Sequence, residues 1–312
     1  MTARLAYCPS CHRILDRFRP GGHGVRRPRA RCPRCHALER HRLLAILLDG
    51  LAPALQEHGR VLDIAPSRYV TPRLERIAPA HYVRIDLDHH ADAREIDLQA
   101  SLTKLPFPDD SFDLIICFHV LEHIPDDAAA ISELHRVLRA GGVAIVQVPI
   151  RFDRPTDEDP TAPADERVVR FGQADHVRAY GSDFEARLER AGLSGIRVTA
   201  GELLGGAAAG VFSIPADTVV WILRPSADGG GGRIRIDGGF RLRTIDRLAR
   251  LARDQHRELE QLRRERARAE ARAERAEQRA ERILGHPAVR AVVVVTRPAR
   301  RALAWLRSRR AR

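Results

Sequence analysis

Aromatic side chains make up only 5% of this 312-residue chain, and lysine occurs once, at Lys104. The first shortage leaves the arginine-rich N-terminal segment without interleaved aromatics, Phe18 being its main candidate for stacking on a base. The second puts nearly all positive charge on arginine, a bias that GC-rich coding also produces. The net charge of +12 is therefore weak evidence for a nucleic-acid partner. Long apolar runs are absent too: no stretch of about 18 such residues occurs to span a membrane. No basic start leads into an apolar segment of the secretory type, so a cytoplasmic protein is expected. With 44% hydrophobic residues, the chain is long enough for one domain with a full core plus appendages.

What charge there is divides unevenly. Residues 1–50 carry 11 Arg against 3 acids (+8), residues 51–232 carry 18 basic against 28 acidic (−10), and residues 233–312 carry 24 against 10 (+14). Four of the five cysteines form "CPSC" and "CPRC" within residues 1–36. In a reducing compartment such pairs read as metal ligands rather than disulfides. Cys8, Cys11, Cys32 and Cys35 can supply four thiolates to one structural Zn²⁺, giving a zinc ribbon over 1–36, with a redox dithiol as the other reading. His12, His23 and His36 stand close by as competing ligands.

Leucines at helical spacing predict a helix from Ala37 to about Glu57. Strands are predicted at 60–65, 81–86, 112–118, 142–148, 194–199 and 218–223. Helices fit between them at 70–77, 127–139 and 182–191, with Asp126 as an N-cap and Gly141-Gly142 as a stop. The alternation implies an α/β fold over 37–225 with a doubly wound, mainly parallel, Rossmann-like sheet, whose ligands bind at the carboxyl ends of the strands. "RFDRPTDEDPTAPADE" (151–166) reads as an exposed loop or lid, and 226–242 as a flexible linker. An a/d heptad series at 243–284 predicts a coiled coil and a homodimer, an isolated charged helix being the alternative. Residues 285–312 form a basic tail around Trp305, which suits an anionic membrane surface; nucleic acid and plain solvation are the other readings.

Glycine is missing at a telling place. "VLDIAPSRYV" (61–70) runs from an apolar strand into an aspartate, where a nucleotide-binding fold usually continues into a glycine-rich loop, and none of Ala65 to Tyr69 is glycine. Asp86 closes the next strand, 23 residues after Asp63, where an acid can hold ribose hydroxyls or simply sit in a surface turn. "LPFPDDSFDLIICFHVLEHIPDD" (105–127) and "ELHRVLRAGGVAIVQVP" (133–149) follow. Over roughly 60–224 the chain resembles the class I S-adenosylmethionine-dependent methyltransferases of type 11, and more narrowly a bacterial branch with an N-terminal four-cysteine ribbon.

The resemblance implies a cofactor site. Asp63 would orient the first loop, and Ala65, Pro66 and Ser67 would approach the methionine half of S-adenosylmethionine. Asp86 would hold the ribose and Leu87 would lie beside the adenine. Ser101 and Leu102 fall where the family has an acid and an apolar residue against that ring. Phe118 and His119 would lie under the cofactor. Leu121, Glu122 and His123 are read as fixing a turn rather than doing chemistry. S-adenosylmethionine has no phosphate to cradle, which removes one physical reason for glycines in the loop.

Methyl transfer needs mainly alignment, with a base only where the acceptor must lose a proton. Candidates for the acceptor wall are Asp175, His176, Arg178 and Tyr180 in "RFGQADHVRAYG" (170–181), which alternatively cap the next helix. His119 is a second candidate base or a structural histidine. The expected function is methylation of a small-molecule or glycan-like acceptor. An RNA methyltransferase and a cofactor-dead scaffold are the competing readings.

Overall fold

The computed structural model describes residues 6–22, 26–55, 59–78, 81–88, 95–226, 257, 260–280 and 282. The chain separates into two units, Met1–His256 and Arg257–Arg312. In the first, four short strands, β1 (Ala6–Cys8), β2 (Arg13–Leu15), β3 (Arg19–Gly21) and β4 (Arg27–Arg31), pair as two antiparallel hairpins. Helix α1 (Glu39–Leu55) follows, its first turn held by the bidentate Arg27–Glu39 pair at 2.8 and 2.9 Å. Leu43, Leu44, Leu47 and Leu48 form its buried stripe.

The central elements are β5 (Val61–Ile64), α2 (Thr71–Ile77), β6 (Tyr82–Asp86), β7 (Leu98–Gln99), β8 (Phe112–Phe118), a 3₁₀ turn (Leu121–His123), α3 (Asp127–Val137) and β9 (Leu138–Gln147). Next come β10 (Ile150–Arg151), β11 (Asp157–Glu158), α4 (Ala164–Phe171), β12 (Arg178–Gly181) and α5 (Phe184–Arg190). The unit closes with β13 (Leu193–Thr199), α6 (Ala200–Leu204), α7 (Gly206–Phe212) and β14 (Val219–Pro225). The main sheet has the order β13-β14-β9-β8-β5-β6-β7. Strands β9, β8, β5, β6 and β7 are parallel to their neighbours, whereas β14 runs antiparallel to β9 and β13.

Strand order reverses between β5 and β8, so their carboxyl ends diverge into a crevice, the place where open α/β sheets bind ligands. β5 is buried throughout and β8 nearly so, because helices cover both faces; such strands read as continuous apolar runs. One core joins α1 and α2 to the sheet through Leu47, Leu74 and Ile116. The other joins α3 and α5 through Leu134, Phe184 and Trp221.

Asp126 caps α3 by accepting from the Ala129 amide at 2.9 Å, as expected. The helix stops earlier than predicted, at Val137, and Gly141-Gly142 lie inside β9. A Cβ on Gly142 would come within 2.8 Å of Leu138 Cδ1 and 2.9 Å of the Arg139 carbonyl, so close approach, not helix termination, requires glycine there.

The 151–166 segment is a correction. It is not a plain loop: β11 pairs with β12, β10 pairs with β12 from the other side, and α4 begins at Ala164. Asp157 and Asp159 are paired from outside the segment by Arg170, and Glu158 by Arg178 and Arg187, while Asp153 pairs with Arg154 within it.

In the second unit, residues 260–280 are helical, with Arg266–Glu270 paired at 2.8 Å. Leu262 is 39% exposed on this helix. The rest of the predicted coiled coil before 257, nearly all of the linker and the tail from 285 lie outside the described residues. Among the described residues no helix is long and apolar enough to cross a membrane.

Candidate active site

The N-terminal hairpins bring the two CxxC turns together. All four sulfurs lie within 4.8 Å of one another, with Cys8–Cys35 at 3.7 Å and Cys11–Cys32 at 3.9 Å. Those separations are far beyond a disulfide and match the edge of a tetrahedron, about 3.8 Å, drawn by sulfurs 2.3 Å from a central zinc. As thiols the four share charge unequally. Hydrogen bonds from Cys35 and Cys8 hold Cys32 far below the usual thiol range, while Cys8 is pushed far above it, chiefly by its bonds to Cys32 and Cys35. His12 is taken up elsewhere, its Nδ1 2.8 Å from the Tyr7 hydroxyl and its Nε2 2.8 Å from Arg73. His36 turns towards the cavity described below, and His23 lies outside the described residues.

Two buried arginines dock this module on the sheet. Arg73 of α2 donates to Asp49 of α1 at 2.7 Å and to the Pro9 carbonyl at 2.9 Å, inside the first CxxC turn. Arg42 of α1 donates to the carbonyls of Ala30, Ala37, Phe212 and Ser213 at 2.8 to 2.9 Å, and lies 4.0 Å over the Phe18 ring. Burial lowers the Arg42 guanidinium to about 10, which leaves it charged at neutral pH.

At the end of β5, Asp63 is buried and accepts from the Tyr82 hydroxyl at 2.7 Å. The chain then turns at Ala65 with φ +54°, in the left-handed region where glycine is favoured. The missing glycine is thus replaced at the position whose backbone most calls for it. Pro66 follows, and the Ser67 carbonyl accepts the amides of Val70 and Thr71 at 2.7 and 3.0 Å to start α2.

Ala65→Gly should release about 1–2 kcal/mol of left-handed strain and lose about 0.4–1 kcal/mol to the more flexible unfolded chain. A net gain of roughly 0.5–1 kcal/mol in urea unfolding is expected; a less stable variant would sink this reading of the loop.

A cavity of about 880 Å³ opens at the carboxyl ends of β5 and β8, a size common for ligand pockets. Asp63, Ala65, Pro66, Ser67, Phe118 and His119 line it, so six of the residues singled out in the sequence meet there. Asp86, Leu87, Ser101 and Leu102 do not line it; they lie along the neighbouring strand ends. Asp86 accepts from the Leu87 amide at 2.7 Å, Leu87 is 68% exposed, Ser101 faces Thr103 at 2.8 Å, and Leu102 is buried.

The opposite wall comes from the cysteine module and the start of α1, and sequence reasoning missed it. Arg26, Arg31, His36 and Arg40 stand there, and Arg68 adds a further cation from the first loop. Asp63 is the one carboxylate among the described lining residues. Neither Arg26 nor Arg31 has a salt-bridge partner among the described residues. The only sequence signal was the basic charge of residues 1–50 against an acidic middle.

The residues expected to form an acceptor wall are placed differently. Arg178 and Tyr180 are 1% and 0% exposed, and neither lines the cavity. The Arg178 guanidinium donates to the carbonyls of Leu121, Ile124 and Pro125 and pairs with Glu158 at 3.1 Å. The Tyr180 hydroxyl donates to Asp127 at 2.8 Å. Both hold the 3₁₀ turn after β8, which has no β-ladder to fix it.

His176 is also buried, and burial holds its imidazole below the usual range, hence neutral at pH 7. Asp175 is exposed and reaches His123 Nδ1 at 3.3 Å. His119 does line the cavity, with φ +56° and its Nδ1 3.1 Å from Glu122 Oε1. Burial works against the Glu122 carboxylate, but His119 and then His123 outweigh it and hold the group below its ordinary range. Cys117 is a core thiol pushed well up by burial.

Residues 62–146 match the family model described as a methyltransferase domain. The match covers the first loop, β8 and most of β9. A probable S-adenosylmethionine-dependent methyltransferase of Mycolicibacterium smegmatis is 41% identical over 69 residues, 22% of this chain and 23% of that protein. Ajmaline N-methyltransferase of Rauvolfia serpentina is 35% identical over 66 residues, covering 21% and 23%. The chain thus spans under a quarter of the length of these curated relatives. A solved S-adenosylmethionine-dependent methyltransferase from Archaeoglobus fulgidus superposes with a TM-score of 0.40 at 12% identity, covering 60% of this chain and 94% of its own.

Proposed function

We propose that the protein is an S-adenosylmethionine-dependent methyltransferase whose acceptor is a small molecule or glycan-like compound carrying a phosphate or carboxylate. The observation that carries this reading is the cavity between the methyltransferase domain and the cysteine module, floored by Ala65 to Ser67 and His119 and walled by Arg26, Arg31 and Arg40. Guanidinium groups bind planar and tetrahedral oxyanions in bidentate fashion, and a recessed site strengthens that attraction.

S-adenosylmethionine, when bound, supplies a methyl group on a sulfonium that is already activated. The residues present fit it: an apolar and backbone floor for the methionine half, and the Asp86 carboxylate and exposed Leu87 for the nucleoside. The protein's own contribution is alignment and exclusion of water. His119, on the lining of the cavity, is placed to take a proton from an acceptor hydroxyl or amine.

The four cysteines are proposed to hold one structural Zn²⁺, supported by the tetrahedral spacing of their sulfurs. The heptads at 243–284 are proposed to pair two chains, and the basic tail at 285–312 to rest on an anionic membrane surface.

The test is transfer of labelled methyl from S-adenosylmethionine to separate phosphorylated-sugar, carboxylate, neutral-metabolite and RNA fractions, with calorimetry of cofactor binding. Label in an anionic small-molecule fraction is expected. Label confined to RNA would favour the nucleic-acid reading, and no cofactor binding would leave a scaffold. Asp86→Ala should weaken cofactor binding by about 1–3 kcal/mol, the scale of a hydrogen bond to a charged group; unchanged affinity would place the ribose elsewhere.

A further inference from the structure

Beneath His119 lies a second group of ligating side chains that methyl transfer does not use. Glu122 is 1% exposed, yet neither carboxylate oxygen makes a hydrogen bond; His119 Nδ1 approaches Oε1 at 3.1 Å, outside hydrogen-bond geometry. A buried carboxylate without donors is costly, and native interiors seldom keep one. His176, 3% exposed, leaves its Nε2 equally unpartnered. One ligand atom from each of Glu122, His123 and His176 lies within 4.8 Å of the others. We infer that Glu122, His123 and His176 form a binding site for a divalent first-row transition-metal cation.

The surroundings are those of a metal site. His176 Nδ1 is 3.1 Å from the Phe171 carbonyl, so the proton sits on Nδ1 and the unpartnered Nε2 carries the lone pair a metal needs. His123 Nδ1 meets Asp175 at 3.3 Å, the same kind of support from a carboxylate. The two rings stand edge to face, 4.7 Å apart. Their backbone is fixed independently: the Val177 amide donates to the Glu122 carbonyl at 2.9 Å, and Arg178 clamps the carbonyls on either side.

This gives a purpose to the buried cation and hydroxyl of β12. They occupy the turn's carbonyls, leaving the Glu122 carboxylate for something else. Two imidazoles and one carboxylate suit Mn²⁺, Fe²⁺, Co²⁺ or Zn²⁺ rather than Mg²⁺ or Ca²⁺, which prefer all-oxygen shells. The half-exposed His123 marks the side from which an ion enters. The site adjoins His119, which lines the cavity, so an ion there would present an electrophile next to the acceptor.

The inference is tested on the full chain isolated with its cysteine cluster filled by zinc, titrated with Co²⁺ by calorimetry and visible absorption. One Co²⁺ per chain beyond the zinc is expected, with d–d bands and no thiolate charge-transfer band. Glu122→Gln and His176→Gln should each lower Co²⁺ affinity at least 100-fold with the zinc content unchanged. Should His176→Gln fail to fold, His123→Gln serves in its place. No Co²⁺ uptake by the folded wild type, or equal affinity in Glu122→Gln, overturns the site. Because the readout is metal binding, it stands or falls separately from methyl transfer.

Discussion

Replacing Cys32 by serine is expected to abolish stoichiometric zinc and to unfold the cysteine module while the sheet stays folded. Cys32 is fully buried, its amide donates to the Ala37 carbonyl at 2.9 Å, and its sulfur accepts from the Arg34 amide at 3.4 Å. The module otherwise has a core of a few side chains, Ala6, Leu15, Phe18 and Ala37 among them. Structural zinc contributes about 10–16 kcal/mol of apparent binding free energy in comparable small sites, far more than such a core provides. Metal analysis together with proteolysis of residues 6–36 checks this. Full zinc in a protease-resistant variant would show that the cluster does not organise the segment.

The second large effect belongs to Arg42. Replacing it with methionine keeps most of the packing over Phe18 but strands the carbonyls of Ala30, Ala37, Phe212 and Ser213, all facing a buried guanidinium at present. Losing one side of a buried charged network costs about 3–5 kcal/mol. For a unit of this size that corresponds to a melting temperature lower by roughly 10 °C. A shift under about 3 °C would mean that water replaces the guanidinium at little cost, and that the module is held to the sheet by other contacts.

The central sheet was legible because its physics is local. "VLDI", "FDLIICF" and "VAIVQV" are apolar runs, as strands covered on both faces must be, and Asp126 carries its capping role in its own side chain. β12 was not legible. The sequence offers Arg178 and Tyr180 as an acceptor wall or as caps of the next helix, yet they are buried, where the 3₁₀ turn across from them has carbonyls that take their donors. Helix α4 was hidden for the opposite reason, since Val168 and Val169 are exposed and only Phe171 of its residues is buried. At the site, the loop after β5 was recognised and its departure from glycine noted. The arginine wall depends on tertiary docking of the cysteine module through Arg42 and Arg73, which no local pattern encodes.

The cavity wall supplied by the cysteine module couples two events in different parts of the chain. If the wall exists only while its thiolates are ligated, an acceptor held by Arg26 and Arg31 binds the metal-loaded form in preference to the apo form. Thermodynamic linkage then runs both ways. An occupied cavity retards escape of the ion to a chelator, and oxidation of any of the four sulfurs lowers acceptor affinity without touching the cofactor floor. The proposed methyl transfer would thereby fall with metal starvation or oxidative stress, through geometry alone and with no separate sensor.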